Sequence, residues 1–294
     1  MHHKMLFAAI AAALLISIAM PAVALDIVYV DYFTLGRDTF YDTDLEAHSQ
    51  GLDAFLFLPI KFITLGAVYE LRDYDWHNQS QRISRNQLPD QLQMTMFSVG
   101  TLLDLNQRWK LLVRFDPGIA SDFRDISIED FYFRGYGVAL FSYSKELSLM
   151  FGGGYTDQYE APSPVPILGF DWRPTKDVQL SLMIPDRFHF RFAINDRFWP
   201  GIRGCLRGYS FRLSEDQPFD GSRIHRRELR LGPILDVRIV ADLFFGIEAG
   251  AIVFNEFDIY DKHNRRIHKG DRAANWFAQA GLYYRFDLAN LEKN

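Results

Sequence analysis

The chain has 294 residues, a formal net charge of −5 and a single cysteine. Its mild acidity, with both signs interspersed, excludes an electrostatic nucleic-acid footprint. The lone thiol, Cys205, excludes an internal disulfide and any zinc site built from several cysteines.

At the N-terminus, His2, His3 and Lys4 precede an uncharged apolar run from Leu6 to Ala19, and Ala22-Val23-Ala24 is a small-x-small cleavage site. That is the grammar of a secretory signal peptide. Residues 1–24 are expected to be removed, leaving residues 25–294 as one domain that begins at Leu25. Pro21 breaks the run where a membrane anchor would have to continue, and no later window approaches the ~20 apolar residues of a helical span.

From there on the pattern has period two. Leu92, Met94 and Met96 alternate with Gln91, Gln93 and Thr95. Phe131, Phe133, Ala139 and Phe141 alternate with Asp130, Tyr132, Arg134 and Tyr136. Phe188, Phe190, Phe192 and Ile194 alternate with Arg187, His189, Arg191 and Asn195. Leu229, Leu231 and Leu235 alternate with Glu228, Arg230, Asp236 and Arg238. Phe245, Ile247, Ala249, Ala251 and Val253 alternate with Gly246, Glu248 and Gly250. A soluble sandwich would need a second sheet to cover faces this aromatic. A barrel in lipid turns them outward and turns the polar set toward a wet lumen. The predicted fold class is all-β, a transmembrane antiparallel up-and-down β-barrel of about 12–14 strands.

Connections support this. Short turns are expected near Pro59-Ile60-Lys61, Asn106-Gln107, Ser144-Lys145, Pro174-Thr175-Lys176 and Val240-Ala241. Long loops are expected over residues 39–47, 72–90, 117–127, 157–164, 214–224 and 256–272. Short and long alternate, as periplasmic turns and extracellular loops do. The rule fails near Pro185-Asp186 and over residues 199–204, where a tight turn stands in place of a long loop. Trp76, Trp109, Trp172, Trp199 and Trp276 fall near expected strand ends, where interfacial belts place aromatics.

The closing segment carries Gln279, Gly281, Tyr284 and Phe286 as polar-x-Gly-x-x-aromatic-x-aromatic. It is similar to the signal read by the outer-membrane assembly machinery, although Asp287 to Asn294 follow it. Mid-chain, Asp116-Pro117-Gly118 with Ser121-Asp122, Gly153-Gly154-Tyr155, Pro164-Val-Pro166 with Gly169, Trp172 and Pro174, and Met183-Ile184-Pro185 resemble one family of bacterial outer-membrane barrels. That family is labelled only as a domain of unknown function. The resemblance implies an outer-membrane barrel and implies no activity, ligand or catalytic residue.

Other chemistry is sparse. Gly152-Gly153-Gly154 lacks the Lys-Ser/Thr of a nucleotide loop and reads as glycines that let a strand bend. Asp258, Asp261, His263, His268 and Asp271 could ligate a metal, but Lys262, Arg265, Arg266, Lys269 and Arg272 lie among them and read as a solvated mixed-charge loop. His48 and Ser49 point to opposite faces of a strand, and His77 and Ser80 fall in an expected loop, so neither pair reads as nucleophile and base. Arg134, Arg187, His189, Arg191, Glu228, Arg230, Asp236, Arg238, Glu248 and Arg285 are expected to line the lumen, because charge in lipid is costly.

The expected function is a narrow or gated small-solute channel. A structural or surface-interaction barrel is the alternative, and a lipid-modifying barrel enzyme the third reading. No cofactor, metal or nucleic acid is expected. The expected partners are outer-membrane lipid, lipopolysaccharide and the assembly machinery. The expected state is a monomer in the bacterial outer membrane, reached through the periplasm.

Overall fold

Segments that alternate with period two fold as strands from one end of the chain to the other. The computed structural model describes residues 28–40, 45–60, 62–78, 88–156, 163–214, 222–263, 265–271 and 275–284. In chain order they form β1 (Val28–Phe40), β2 (Leu45–Ile60), β3 (Ile63–Asn78), β4 (Gln91–Asp104), β5 (Trp109–Ser121), β6 (Phe131–Ser142), β7 (Leu147–Thr156) and β8 (Ser163–Thr175). They continue with β9 (Val178–Ile184), β10 (Arg187–Phe192), β11 (Phe198–Arg212), β12 (Arg223–Val240), β13 (Leu243–Tyr260), β14 (Arg266–Asp271) and β15 (Asn275–Tyr284). β15 pairs antiparallel with both β13 and β1 and so closes the cylinder. β14 pairs with the far end of β13 and stands outside it. The other fourteen strands form a closed antiparallel barrel, the fold class expected and the upper end of the expected strand number. The proposed signal peptide, Arg285 and Phe286 lie outside the described residues.

The wall is built in two tiers. Toward the short turns, Phe97, Val99, Phe115, Phe133, Phe151, Leu168, Ile202, Leu231 and Ile247 are exposed on the outer face, as a lipid-facing band requires. Toward the long connections the polarity inverts. Leu92, Met94 and Met96 are buried inside the barrel. Outside, the Tyr69 hydroxyl donates to Gln93 at 3.1 Å, Gln93 donates to Gln91 at 2.9 Å and Gln91 donates to Asp73 at 2.7 Å. Trp76, Tyr74, Phe257, Tyr209, Phe211, Leu213, Ile224 and Ile259 complete an apolar core within this outer tier. A strand with polar residues outside and apolar residues inside belongs in water, not lipid.

This inversion corrects two expectations. Residues 72–78, 117–121 and 256–260 of the expected loops are strand, since β3 runs to Asn78, β5 to Ser121 and β13 to Tyr260. Their polar outer faces imitate loop composition. Trp76 is in the core, with its indole N–H donating to the Pro89 carbonyl at 2.9 Å, rather than in an interfacial belt. Trp199 points inward, beneath the guanidinium groups of Arg191 and Arg238. Trp172 and Trp276 are exposed outward.

The outer tier is narrower than the barrel below it. The ends of β5 and β11 meet in a parallel bridge, Ser121 against Arg212. The Ser214 hydroxyl donates to Asp122 at 2.9 Å, and Arg212 reaches Ser127 and Asp130 on a single 3-10 turn at 2.6 and 3.3 Å. Strands β6 to β10 are therefore left as a lobe outside the pinch. Within the lobe the Pro185-Asp186 turn joins two short strands, of 7 and 6 residues, against the 9–11 or so of a full crossing.

Candidate functional site: the charged lumen

Arginine and carboxylate side chains on alternate positions meet across the barrel. Asp53 accepts from Arg72 and, at 3.2 Å, from Arg207, while Arg72 also donates to Glu70 at 2.9 Å. Arg226 lies 3.2 Å from Asp38 and 2.9 Å from Glu228, and Glu228 also takes Arg230. Arg230 donates to Gln279 at 3.2 Å, and Gln279 donates to Glu248 at 3.0 Å, which also pairs with Arg203. Asp116 accepts from Arg114 at 2.6 Å and Arg134 at 2.9 Å. Arg191 donates to Gln179 at 2.8 Å and lies 3.4 Å from Asp236. Aromatic faces fill the remaining coordination: Arg72 and Arg230 both lie over Phe33, and Arg114 lies over Phe55. Charges this deep are tolerable only as such a connected set, because each ion removed from water needs nearly its whole shell replaced.

Of the residues singled out from the sequence, Arg134, His189, Arg191, Glu228, Arg230, Asp236, Arg238 and Glu248 all stand on the inner face of their strands. Arg187 shares that face, opposite Met183 and Cys205. It sits at the β9–β10 turn, its side chain half in solvent and 3.9 Å from Asp186. Asp53, Glu70, Arg72, Arg114, Asp116, Arg203, Arg207 and Arg226 also belong to the network and were missed. Arg203, Cys205 and Arg207 do alternate with Ile202, Gly204 and Leu206, but a glycine interrupts the apolar face. In the closing strand, Gln279 holds Arg230 and Glu248. A β-carbon at Gly281 would overlap Asp31 and the Val30 carbonyl, and Tyr284 pairs with Val28.

The other candidates resolve plainly. His48 and Ser49 do face opposite ways, with Ser49 accepting from Arg226 at 3.1 Å. His77 lies in β3 rather than in a loop, and Ser80 lies outside the described residues. Asp258 and Asp261 are held by Arg266 and Arg265, and the side chains of His268 and Asp271 lie outside the described residues. A row that sequence reading missed is Ser210, His225 and Asp258, directly opposed across β11, β12 and β13. Ser210 Oγ is 3.4 Å from His225 Nε2, but all three residues are buried and closed to a substrate.

Fold and lumen together define a bacterial outer-membrane-type β-barrel. The family model described as Domain of unknown function (DUF6268) matches residues 65–285, and the chain belongs to that family. Among solved structures it is similar to the NanC porin, at 11 % identity and a TM-score of 0.37, over 88 % of this chain and 100 % of that one. It is similar to the KdgM porin in complex with disordered oligogalacturonate, at 8 % and 0.36, over 88 % and 99 %. It is also similar to the translocator domain of the autotransporter NalP from Neisseria meningitidis, at 10 % and 0.35, over 97 % and 96 %. No curated protein matches the chain.

Proposed function

We propose that this protein is a transport-type barrel that passes small solutes along a narrow route set off the barrel axis. The observation that carries the reading is a contrast between the two halves of the inner wall. Phe33, Asp53, Arg72, Arg226, Glu228 and Arg230, on β1 to β3 and β12, are buried. Across from them, Ser148, Met150, Val165, Ile167, Ser181 and Met183 face inward from β7, β8 and β9 and keep part of their surface accessible. Bulky ion pairs fill one side, and shorter uncharged side chains leave room on the other. The apolar core of the outer tier shuts the axis itself, so the space that is left is eccentric. Barrels of this size stand between those filled by side chains and those with open channels.

In this reading the protein is non-catalytic and lies in the outer membrane among lipid and lipopolysaccharide, after export under residues 1–24. It is a monomer inserted by machinery that reads the closing strand. Purified protein in a planar bilayer should give small conductance steps, and Ser181→Trp, which fills the space from β9, should shrink them. Absence of both conductance and solute uptake would leave the second reading, a closed surface barrel. That reading is favoured by the outer tier, whose packed core makes a firm base for the long connections.

A further inference from the structure

Among the described residues, the wall beside this route is incompletely paired. β8 pairs with β7 from Ser163 onward, but with β9 only from Leu168. β11 pairs with β10 only as far as Cys205, then continues to Arg212 with β12 alone until it meets Ser121. Above the Pro185-Asp186 turn, residues 163–167 of β8 and the partly accessible Leu206 and Arg207 of β11 therefore bound a gap, which ends where residues 208–211 enter the buried outer tier. Among the described residues one backbone bond spans its floor, from the Leu206 N–H to the Asp186 carbonyl at 2.8 Å. Open strand edges are not left facing hydrocarbon, and persist at membrane depth only where they line an occupied or watered opening. Pro164 and Pro166 suit such an edge, having no N–H to leave unsatisfied.

Two further observations say what the gap serves. Its outer surroundings are apolar, with Leu168 and Tyr155 exposed. A shallow, open depression lies there, lined by Gly135, Gly153, Tyr155, Pro164, Val165 and Pro166 among others. Inside, the ion pairs are ordered by exposure. The side chains of Arg134, Arg203 and Arg207 are 20 %, 30 % and 23 % exposed, whereas their partners Asp116, Glu248 and Asp53 are 0 %, 3 % and 2 % exposed. The cations face the space and the anions stand behind them. Asp31 and Asp171 are half-buried carboxylates on the same inner wall, with Asp171 held by Arg173 at 2.8 Å, and the Asp186 carboxylate at the floor of the gap lies 3.9 Å from Arg187.

We infer that this gap is a lateral doorway through which a single-chain amphiphile with a carboxylate head moves between the outer leaflet and the off-axis route. The head is carried by Arg203, Arg207 and Arg134, whose planar donor forks match a carboxylate. The tail lies along Val165, Ile167 and the neighbouring depression. The inference rests on the transport reading and adds its substrate class and its exit.

The test uses the full-length barrel in phospholipid vesicles with a long-chain fatty acid bearing a terminal diazirine, and the matching fatty alcohol as a neutral control. Irradiation should place the acid on the inward residues Val165, Ile167 and Met183, about tenfold above the alcohol. Arg203→Gln with Arg207→Gln should erase that preference. Val165→Trp disturbs no ion pair, and in a barrel that still migrates as a heat-stable band it should abolish labelling of Met183. Labelling confined to outward residues such as Leu168, or equal inward labelling by acid and alcohol, would overturn the doorway. If the barrel conducts salt yet fails this test, the doorway falls and the transport reading stands. If it neither conducts nor labels inward, both fall.

Discussion

The guanidinium carbon of Arg72 stands 4.9 Å from the ring centroid of Tyr209, and at that contact the barrel changes character. Arg72 belongs to the charged lumen through Asp53 and Glu70. Tyr209 belongs to the apolar core of the outer tier. Arg72 thus joins a network that needs every partner to a core that needs none.

Arg72→Met should be strongly destabilising, because it leaves Glu70 buried without its cation while Asp53 keeps only Arg207. Breaking a buried pair by removing one member costs about 3–5 kcal/mol. The urea midpoint of the folded, heat-modifiable band reads this directly. Adding Glu70→Gln to Arg72→Met should restore part of the loss. A double variant no more stable than the single would show that Glu70 is not the group left stranded.

The barrel was legible because lipid makes each strand simple. Phe188, Phe190 and Phe192 against Arg187, His189 and Arg191 leave one arrangement in which grease meets acyl chains. The outer tier was not legible, since Gln91, Gln93, Asp73 and Asp75 on the outside of paired strands have the composition of loop. Nor could the pattern show which charges meet. Asp53 and Arg207 are 154 positions apart, and only closure of the cylinder brings them together. The anomaly at Pro185-Asp186 was visible, but its sense as a low point in the wall needed the pairing of β8 and β11.

Trp76→Ala should behave as a core truncation. The ring is buried against Tyr74 and Phe257, so its loss should cost about 3–5 kcal/mol and speed proteolysis of the outer tier in intact cells. Trp276→Ala, on the outer face, should change the midpoint far less. Equal effects would mean that Trp76 does not sit in a packed interior.

Asp261 gives a local pH response. Its carboxylate accepts from the backbone N–H groups of Arg265 and His263 and from the Arg265 side chain, and these bonds hold its pKa below the usual carboxylate range. A depressed pKa means the bonds support the turn above the ordinary carboxylate pKa and are lost as pH falls through the lowered value. Amide exchange at His263 and Arg265 should therefore lose protection on acidification from about pH 5 to pH 2. Asp261→Asn should abolish that pH dependence without moving the global midpoint.

The register of β10 can be tested with neighbouring residues. Phe190 faces lipid between Leu180 and Ile202, so Phe190→Arg places a cation in the band at a cost of about 2–4 kcal/mol. Arg191, one position on, faces inward to Gln179 and Asp236. Arg191→Gln keeps a donor there and should assemble well. Arg191→Asp should not, because the new carboxylate would stand beside Asp236 with no cation between them. The amount of heat-stable folded band in membranes should fall in the order wild type, Arg191→Gln, then the two damaging variants. Adding Asp236→Asn should rescue Arg191→Asp but not Phe190→Arg. Failure of Asp236→Asn to rescue Arg191→Asp would mean that Arg191 does not face Asp236 and that the strand is shifted by one residue, with Phe190 inward and Arg191 outward.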